Sequence, residues 1–346
     1  MKGAARRTAE EENVMHIIQN RRRFMAGIAA GAAGLVAAPR LALAEPAPET
    51  TKVRLPVFAK VSDCQSPMYA ATELLHAEGL TDVEFVSSGT GPDSSDWIGH
   101  GEIDFDWNYP LAHVLNIAKG APIKVLTGLH VGCLELIAND RVVGIPDLKG
   151  KTVGVDGSTI QYLLLNVMSS YVGLDPAKDF ETLVTPDAVQ SLAEGKIDAF
   201  LGGPPTPQQA RERKLGHVLV STAIDKPWSQ YFCCMLASTA DYAGRYPMAT
   251  KRVMRALLKA VDLCITNPEA VAKSAVDTGY ASDYTLQAIR SDIRYDKWRE
   301  YDPEDSLRFY ALRMQETNAV TMRPQEVLDR GTDWRFLKEL KREMKT

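Results

Sequence analysis

A four-residue phrase, Gly-x-Ile-Asp, occurs twice in this chain and constrains its fold more than any other feature. It reads GEID at residues 101–104 and GKID at residues 195–198, and an apolar strand pattern follows each copy. A glycine at this position can end a helix in the left-handed conformation, and the isoleucine suits a buried strand. The phrase therefore predicts a structural repeat rather than a catalytic motif.

The elements around the two copies come in the same order. In the first half, strand patterns at 52–57, 82–86, 103–107 and 123–129 alternate with helical patterns. In the second half, the strand patterns lie at 151–155, 180–184, 197–201 and 217–221. Strands that alternate with helical crossovers are typical of parallel sheets in α/β proteins. A chain of 346 residues with 45% hydrophobic content is long enough for two such cores.

The segment after residue 246 departs from this alternation. Residues 247–267 predict one long helix, and charged helical segments follow through Lys345. The apolar positions expected to face the core in the long helix are Val253, Leu257, Leu258, Val261 and Ile265. The aromatic residues expected to pack in the remainder are Trp298, Tyr301, Phe309, Tyr310, Trp334 and Phe336. We expect this segment to cover one sheet rather than to form a third domain.

The N-terminus has the pattern of an export signal. Twin arginines in NRRRFMA, residues 20–26, precede a small-residue apolar run at 25–38, and Ala42-Leu43-Ala44 has the form of a signal-peptidase site. We therefore expect residues 1–44 to be a Tat-type signal peptide. A transmembrane anchor is the alternative, but the apolar run is shorter than the ~20 residues that a membrane-spanning helix needs.

The charge balance of the remaining chain excludes some classes of partner. After residue 44 there are 33 basic and 41 acidic residues, a net charge of −8. A chain with this excess of acid is not suited to nucleic acid or to an anionic membrane surface. We expect neither as a partner.

Sequence motifs for catalysis or for metal binding are scarce. The five cysteines are odd in number and form no C-x-x-C pair, and no two histidines after residue 44 have metal-ligand spacing. Cys233-Cys234, in QYFCCMLA, predicts small apolar residues in a buried strand, with a metal or redox role as the alternative. Asp104 and Asp106 form only a weak carboxylate pair. We expect no catalytic residue, no cofactor and no metal site.

Candidate ligand residues are selected by a rule of α/β folds. Ligands bind at the carboxyl ends of parallel strands, where helix N-termini offer free N–H groups. Applied to the predicted strand ends and the segments next to them, this rule selects Ser66, Pro67, Met68, Ser87, Ser88, Gly89, Thr90, Trp107, Asn108, Tyr109, His130, Gly157, Ser158, Thr159, Gly203, Pro204 and Trp228. Serine, threonine and glycine suit an anionic or polar head group, and the aromatic residues suit a flat ligand body.

Some of these residues have a structural explanation as well. Trp107, Tyr109 and Trp228 are equally suited to a core, and His130 follows an apolar strand where a structural histidine is common. Ser158 at a helix start has the pattern of an ordinary N-cap. The alternatives stay open at the level of the sequence.

Several segments carry a family resemblance: SPMYAATELLHAEGL, GEIDFDW followed by AKGAPIKVL, GIPDLKGKTVGV, GLDP and LAEGKIDAFLGGPP. Together they resemble the substrate-binding proteins of ABC importers for nitrate, sulfonates and taurine, a broad family that includes binders of thiamine-pyrimidine precursors. The resemblance extends over nearly all of residues 50–346. The run DLKGKTVGV followed by EGKIDAF is typical of the class, whereas no segment is specific for one ligand.

The resemblance implies a type II periplasmic-binding-protein fold, in which two α/β domains are joined by two hinge strands around a ligand cleft. Domain 1 would comprise residues 45–138 and 237–346, and domain 2 residues 139–236. The hinge crossings would fall near 135–140 and 231–238. The family pattern implies ligand loops around Ser66, Ser87-Ser88-Gly89, Trp107-Asn108 and Gly157-Ser158.

The resemblance also implies a function. The chain would be the periplasmic, monomeric component of an ABC importer that binds a small organic anion and delivers it to the permease in the inner membrane. Sulfonate, taurine-like, nitrate-like and aromatic or pyrimidine compounds are the candidate ligands. The alternative is an exported enzyme on the same fold, metal- or cysteine-dependent and similar to the pyrimidine synthase of eukaryotic thiamine biosynthesis. That enzyme has a longer cysteine-rich run than the two cysteines here.

Overall fold

The two copies of the Gly-x-Ile-Asp phrase lie at equivalent places in two sheets. A computed structural model describes residues 45–58, 62–87 and 94–345 of the chain. The predicted signal peptide, residues 1–44, lies outside the described residues, and so do the predicted ligand residues Ser88, Gly89 and Thr90.

Strands and helices alternate through most of the described chain. The strands are β1 Lys52–Pro56, β2 Asp82–Val86, β3 Phe105–Asn108, β4 Ile123–Gly132, β5 Glu135–Ala138, β6 Thr152–Val155, β7 Glu181–Val184, β8 Ala199–Gly202, β9 His217–Ser221, β10 Cys234–Thr239 and β11 Ile293–Arg294. The helices are α1 Ser66–Tyr69, α2 Thr72–Ala77, α3 Ser94–Gly99, α4 Pro110–Ala118, α5 Thr159–Tyr171, α6 Ala188–Ala193, α7 Thr206–Glu212, α8 Ala240–Arg245, α9 Pro247–Thr266, α10 Pro268–Asp277, α11 Pro303–Glu316, α12 Pro324–Gly331 and α13 Arg335–Glu343.

The two sheets have the same strand order. The second sheet runs β7-β6-β8-β5-β9, and the first runs β3-β10-β4-β11 with the parallel pair β1–β2 beside β3. Thus β10 occupies in the first sheet the place that β5 has in the second. The parallel order predicted from the sequence holds for β1–β2, β6–β7 and β6–β8. By contrast, β5 and β10 are antiparallel to both of their neighbours, because each enters its sheet from the other one.

The repeated phrase forms the same hydrogen bonds in both sheets. Gly101 and Gly195 adopt φ angles of +72° and +69°, the left-handed conformation expected of a helix end. The N–H of Asp104 donates to the Arg54 carbonyl at 2.9 Å, and its carboxylate accepts the Arg54 N–H at 2.8 Å. Asp198 makes the equivalent pair of bonds to Thr152, at 2.8 and 3.2 Å. The phrase is therefore confirmed as a structural repeat.

The chain passes between the sheets twice. It leaves the first sheet at the end of β4 and enters the second at β5, through Gly132-Cys133-Leu134. It returns between the end of β9 and the start of β10. Strand β5, which the prediction assigns to domain 1, pairs only within the second sheet among the described residues. The division into two domains itself stays a prediction.

The C-terminal helices pack on the first sheet side. Helix α9 contacts α1, α2, α10 and β4, and the carboxylate of Glu78 accepts hydrogen bonds from Arg255 at 2.8 Å and from Lys259 at 2.7 Å. The predicted apolar positions of α9 are buried except Ile265, which is 51% exposed. Ile265 lies in the last turn of the helix, one residue before its end, and its side chain is outside the buried face of the helix.

Among the described residues, no helix combines the length and the apolarity that a bilayer crossing requires.

A buried histidine of helix α4 makes the stability depend on pH. His113 is completely buried, and its Nε2 lies 3.1 Å from the Met235 carbonyl. Burial lowers the pKa of His113 from 6.5 to about 4. A group with a depressed pKa in the folded state stabilises the fold above its unfolded pKa and loses that contribution as the pH falls toward the folded value.

We expect His113→Gln to remove this pH dependence. Between pH 7 and pH 4 the unmodified chain should lose about 3 kcal/mol relative to the variant, which keeps a donor for Met235 but cannot ionise. Urea unfolding at both pH values measures the difference. His76→Gln, at an exposed position, is the control and should follow the unmodified chain. A parallel loss in His113→Gln would contradict the assignment.

Candidate ligand site

A cavity of about 520 Å³ lies between the carboxyl ends of strands from both sheets. It opens at the ends of β3, β6 and β8, where helix α5 begins. The residues that line it are Phe58, Ser62, Cys64, Gln65, Trp97, Asn108, Tyr109, Cys133, Leu134, Asp156, Gly157, Ser158, Ile160, Gln161, Pro186, Gly203, Pro204, Pro205, Thr206 and Cys234. Its volume is within the usual range for a small organic ligand.

The polar side of the cavity is the start of helix α5. Ser158 caps this helix, because its hydroxyl accepts the Gln161 N–H at 3.3 Å. The Asp156 carboxylate accepts the Ser158 N–H at 2.8 Å, and the Gln161 side chain accepts the Asp156 N–H at 2.8 Å. Gly157 holds a φ of +88° between them. This turn presents a fixed set of backbone groups and the positive end of a helix dipole to the cavity.

The aromatic side comes from the end of β3. The Asn108 side chain donates to the Ser94 hydroxyl at 3.0 Å and accepts the Tyr109 N–H at 2.8 Å. The Tyr109 hydroxyl lies 2.7 Å from that of Tyr310, and burial raises the pKa of Tyr109 well above its usual value. Trp97 and Phe58 extend this wall. The side-chain amide of Asn108 is therefore engaged in hydrogen bonds that fix the wall. The surface that this wall presents to the cavity is that of its aromatic rings.

Gln65 offers one unused acceptor atom to the same cavity. Its Nε2 donates to the Trp107 carbonyl at 3.0 Å, whereas its Oε1 is buried and has no hydrogen-bond partner among the described residues. A buried acceptor without a partner is unfavourable by about 1–3 kcal/mol. Gln65 can therefore accept a hydrogen bond from a ligand donor.

The charge of the lining limits the ligands that fit. None of the described lining residues is lysine or arginine, and Asp156 contributes a carboxylate. Burial raises the pKa of the Cys133 and Cys233 thiols. Burial also acts to raise the pKa of Cys234, but the sulfhydryl and indole donors around it outweigh that effect and lower the pKa well below its usual value. Positive potential in the described lining thus comes from backbone N–H groups.

An ion-pair network next to the cavity links the two sheets. Arg211 of α7 contacts the Glu135 carboxylate of β5 and donates to the Asp292 carboxylate at 2.9 Å. Asp292 directly precedes β11, which pairs with β4 of the first sheet, and it also accepts from Gln208 at 2.6 Å. Burial raises the pKa of Glu135 and of Asp292. Arg211 compensates two carboxylates that come from different sheets.

A second cavity, of about 550 Å³, lies at the opposite end of the first sheet. Its lysine and arginine side chains are already paired: Arg54 with Asp104 at 2.6 Å, Lys52 with Glu84 at 2.9 Å and Arg245 with Asp241 at 3.2 Å. The pair of Arg54 and Asp104 belongs to the repeated phrase described above. We therefore assign the candidate site to the cavity between the sheets.

The structure brings six of the predicted ligand residues together on that cavity: Asn108, Tyr109, Gly157, Ser158, Gly203 and Pro204. Trp107 and His130 are completely buried behind its wall, with their ring centroids 6.2 Å apart. Trp228 is buried against Tyr171 and Phe309.

The remaining predicted residues lie elsewhere. Ser66, Pro67 and Met68 are buried within α1, where the Ser66 hydroxyl donates to the Asp63 carbonyl at 2.7 Å. Ser87 is exposed at the end of β2, and Thr159 is half-buried at the start of α5. Contact of these residues with a ligand stays a prediction.

Several lining residues were not predicted as ligand residues. Cys133 follows the end of β4, and Thr206 begins α7, so the strand-end rule applied more widely would have included both. Gln161 belongs to the first turn of α5. Cys234 reaches the cavity only through the pairing of β10 with β4, which the sequence pattern does not specify.

A protein-family model matches residues 46–277 and is described as the NMT1-like family. The match covers more than half of the chain. The chain belongs to the NMT1-like family.

Two curated relatives that are similar to this chain are named as binding proteins. The nitrate/nitrite binding protein NrtA of Synechocystis is 24% identical over 254 residues, which cover 64% of this chain and 55% of NrtA. The bicarbonate-binding protein CmpA of Synechococcus elongatus is 32% identical over 94 residues, 27% of this chain and 20% of CmpA. The chain thus spans between a fifth and about half of the length of these relatives.

Solved structures confirm the periplasmic-binding-protein fold. The periplasmic nitrate-binding protein NrtA of Synechocystis superposes with a TM-score of 0.71 at 17% identity, covering 87% of this chain and 90% of NrtA. The aliphatic sulphonate binding protein SsuA of Escherichia coli gives 0.64 at 17% identity, with coverages of 82% and 92%. The desulfurization enzyme DSZB gives 0.62 at 14% identity, with coverages of 85% and 99%, so the fold also carries catalysis. The resemblance to nitrate and sulfonate binding proteins is confirmed.

Proposed function

We propose that this chain is the substrate-binding component of an ABC importer and that its ligand occupies the cavity between the two sheets. The observation that carries the proposal is the convergence of β3, β6 and β8 on one cavity, with α5 aimed at it. The similarity to NrtA, CmpA and SsuA supports binding rather than catalysis as the activity. Export through residues 1–44, a periplasmic location, a monomeric state and delivery to a permease belong to the same proposal.

The shape and charge of the cavity favour an organic ligand over a bare inorganic ion. A cavity of about 520 Å³ is far larger than a nitrate or bicarbonate ion needs. The described lining supplies aromatic rings from the side of the first sheet, and prolines and a helix N-terminus from the side of the second. A helix end carries roughly half a positive charge, which suits one polar or anionic head group. We infer a ligand with a flat apolar body and a single such head, as in aromatic carboxylates, aromatic sulfonates and pyrimidines.

Ile160→Trp is expected to abolish binding. Ile160 lines the cavity in the first turn of α5, and an indole there would occupy the space of the ligand. Thermal unfolding against a panel of sulfonates, aromatic carboxylates, pyrimidines, nitrate and bicarbonate is the measurement. A ligand present at 100 times its dissociation constant should stabilise the unmodified chain by about 2.7 kcal/mol and the variant by almost nothing.

Tyr162→Trp is the matched control, since Tyr162 lies two residues further along the same helix and is 49% exposed. It should respond to ligand as the unmodified chain does. Equal stabilisation of Ile160→Trp and Tyr162→Trp would place the ligand outside this cavity.

A further inference from the structure

Four cysteines and one histidine meet at the wall of the cavity, where Cys64, Cys133 and Cys234 are lining residues. The ligand atoms of Cys64, His130 and Cys234 all lie within 4.8 Å of one another, and so do those of His130, Cys133 and Cys233. All five side chains are buried. No metal site is expected from the sequence, where these residues are spread over three segments of the chain.

Strand pairing assembles the cluster. Cys234, the first residue of β10, lies directly opposite His130 of β4, and the Cys233 N–H donates to the His130 carbonyl at 2.8 Å. Cys64 joins them from the short helical turn before α1. Cys133 has a φ of 101°, a conformation that is unfavourable for a side chain, and its sulfur lies 2.9 Å from that of Cys233.

The imidazole ring of the cluster has no hydrogen-bond partner among the described residues. This holds for both Nδ1 and Nε2 of His130, although the side chain is completely buried. Its ring packs against Tyr295 at 5.2 Å between centroids, and sulfur atoms lie around its nitrogens. Buried imidazoles normally have a partner for their ring nitrogens, so this one requires an explanation. Coordination of a metal ion supplies one.

We propose that Cys64, His130 and Cys234 bind one Zn²⁺ ion. Thiolate and imidazole are the ligands that zinc prefers, and two thiolates with a neutral imidazole balance its charge in a buried site. Tetrahedral ligands of zinc are about 3.7 Å apart, so the three atoms need to move by less than about 1 Å. Cys64 and Cys234 also line the cavity, which leaves the fourth coordination position open toward it. The site rests on the cluster geometry and is independent of the proposed function.

Metal analysis of the full chain tests the proposal. After loading with Zn²⁺ and dialysis, we expect one zinc ion per chain. With Co²⁺ as the probe, we expect the absorption bands of thiolate-to-cobalt charge transfer. Cys234→Ser and His130→Gln should each weaken zinc binding by at least about 100-fold, because loss of a direct ligand exceeds the 10- to 100-fold loss seen for outer-shell partners.

Cys264→Ser is the matched control, since Cys264 of α9 is equally buried but lies outside the cluster. It should bind zinc like the unmodified chain. The cobalt spectrum of the unmodified chain keeps the test decisive even when a core variant does not fold. Three results would each overturn the proposal: no retained zinc, a cobalt spectrum without thiolate bands, or a disulfide that includes Cys64 or Cys234 in the chain as purified.

Discussion

Replacement of Arg211 by methionine is expected to lower the free energy of unfolding by about 3 kcal/mol. The substitution leaves the carboxylates of Glu135 and Asp292 without their cation, and removal of one partner from a buried ion pair costs about 3–5 kcal/mol. The lower end applies because the Arg211 side chain is 31% exposed, while Glu135 and Asp292 are nearly buried. Chemical denaturation at pH 7 measures the loss.

The matched control is Arg213→Met, at the residue that directly follows the same helix. Arg213 is exposed and donates only to the Gln190 side chain at 3.0 Å among the described residues, so its loss should cost less than about 1 kcal/mol. Adding Glu135→Gln and Asp292→Asn to Arg211→Met should recover most of the stability. The penalty of Arg211→Met should also shrink as the pH falls, because protonation removes the unpaired charges. Equal losses in the two arginine variants would contradict the assigned role of the network.

Gly132→Ala is expected to destabilise the chain by about 3 kcal/mol at the first passage between the sheets. Gly132 has a φ of +84°, and a Cβ there would lie 2.6 Å from the Cβ of Ala223 and 2.8 Å from the Asp292 carbonyl. Part of the cost is backbone strain, and the rest is the displacement of neighbours that include main-chain atoms. Thermal and chemical unfolding both report the change.

Gly101→Ala separates the two contributions. Gly101 ends the helix before the first Gly-x-Ile-Asp strand with a φ of +72°, and no neighbouring atom of the described chain lies within 4 Å of its missing Cβ. This variant should therefore show the backbone strain alone, about 1 kcal/mol. If Gly132→Ala cost no more than Gly101→Ala, the close packing at the passage would be refuted.

The repeat was predictable because its determinants are local. A left-handed glycine, a buried isoleucine and an aspartate that binds the neighbouring strand act within a few residues of each other, so the sequence displays them directly. The exchange of β5 and β10 between sheets was not predictable in the same way. It depends on where the chain crosses, and a crossing at Gly132-Cys133-Leu134 leaves no periodic pattern.

The candidate site was predicted in part for a similar reason. The strand-end rule selected Asn108, Tyr109, Gly157 and Ser158, which line the cavity, because the rule depends only on element order. The rule could not predict on which side of the sheet the Trp107 side chain lies. Every residue of β3 is buried, so an alternation of apolar and polar residues does not distinguish the two faces of this strand. The cluster around His130 depends on the register of β10 against β4, which is a tertiary property.

Native mass spectrometry of the chain, purified from its own cellular compartment, tests the central claim most directly. We predict one bound organic molecule per chain, present also in Tyr162→Trp and absent from Ile160→Trp, because the indole fills the cavity that Ile160 lines. The same adduct on Ile160→Trp, or a ligand-free spectrum for all three proteins, would contradict a binding function for the cavity between the two sheets.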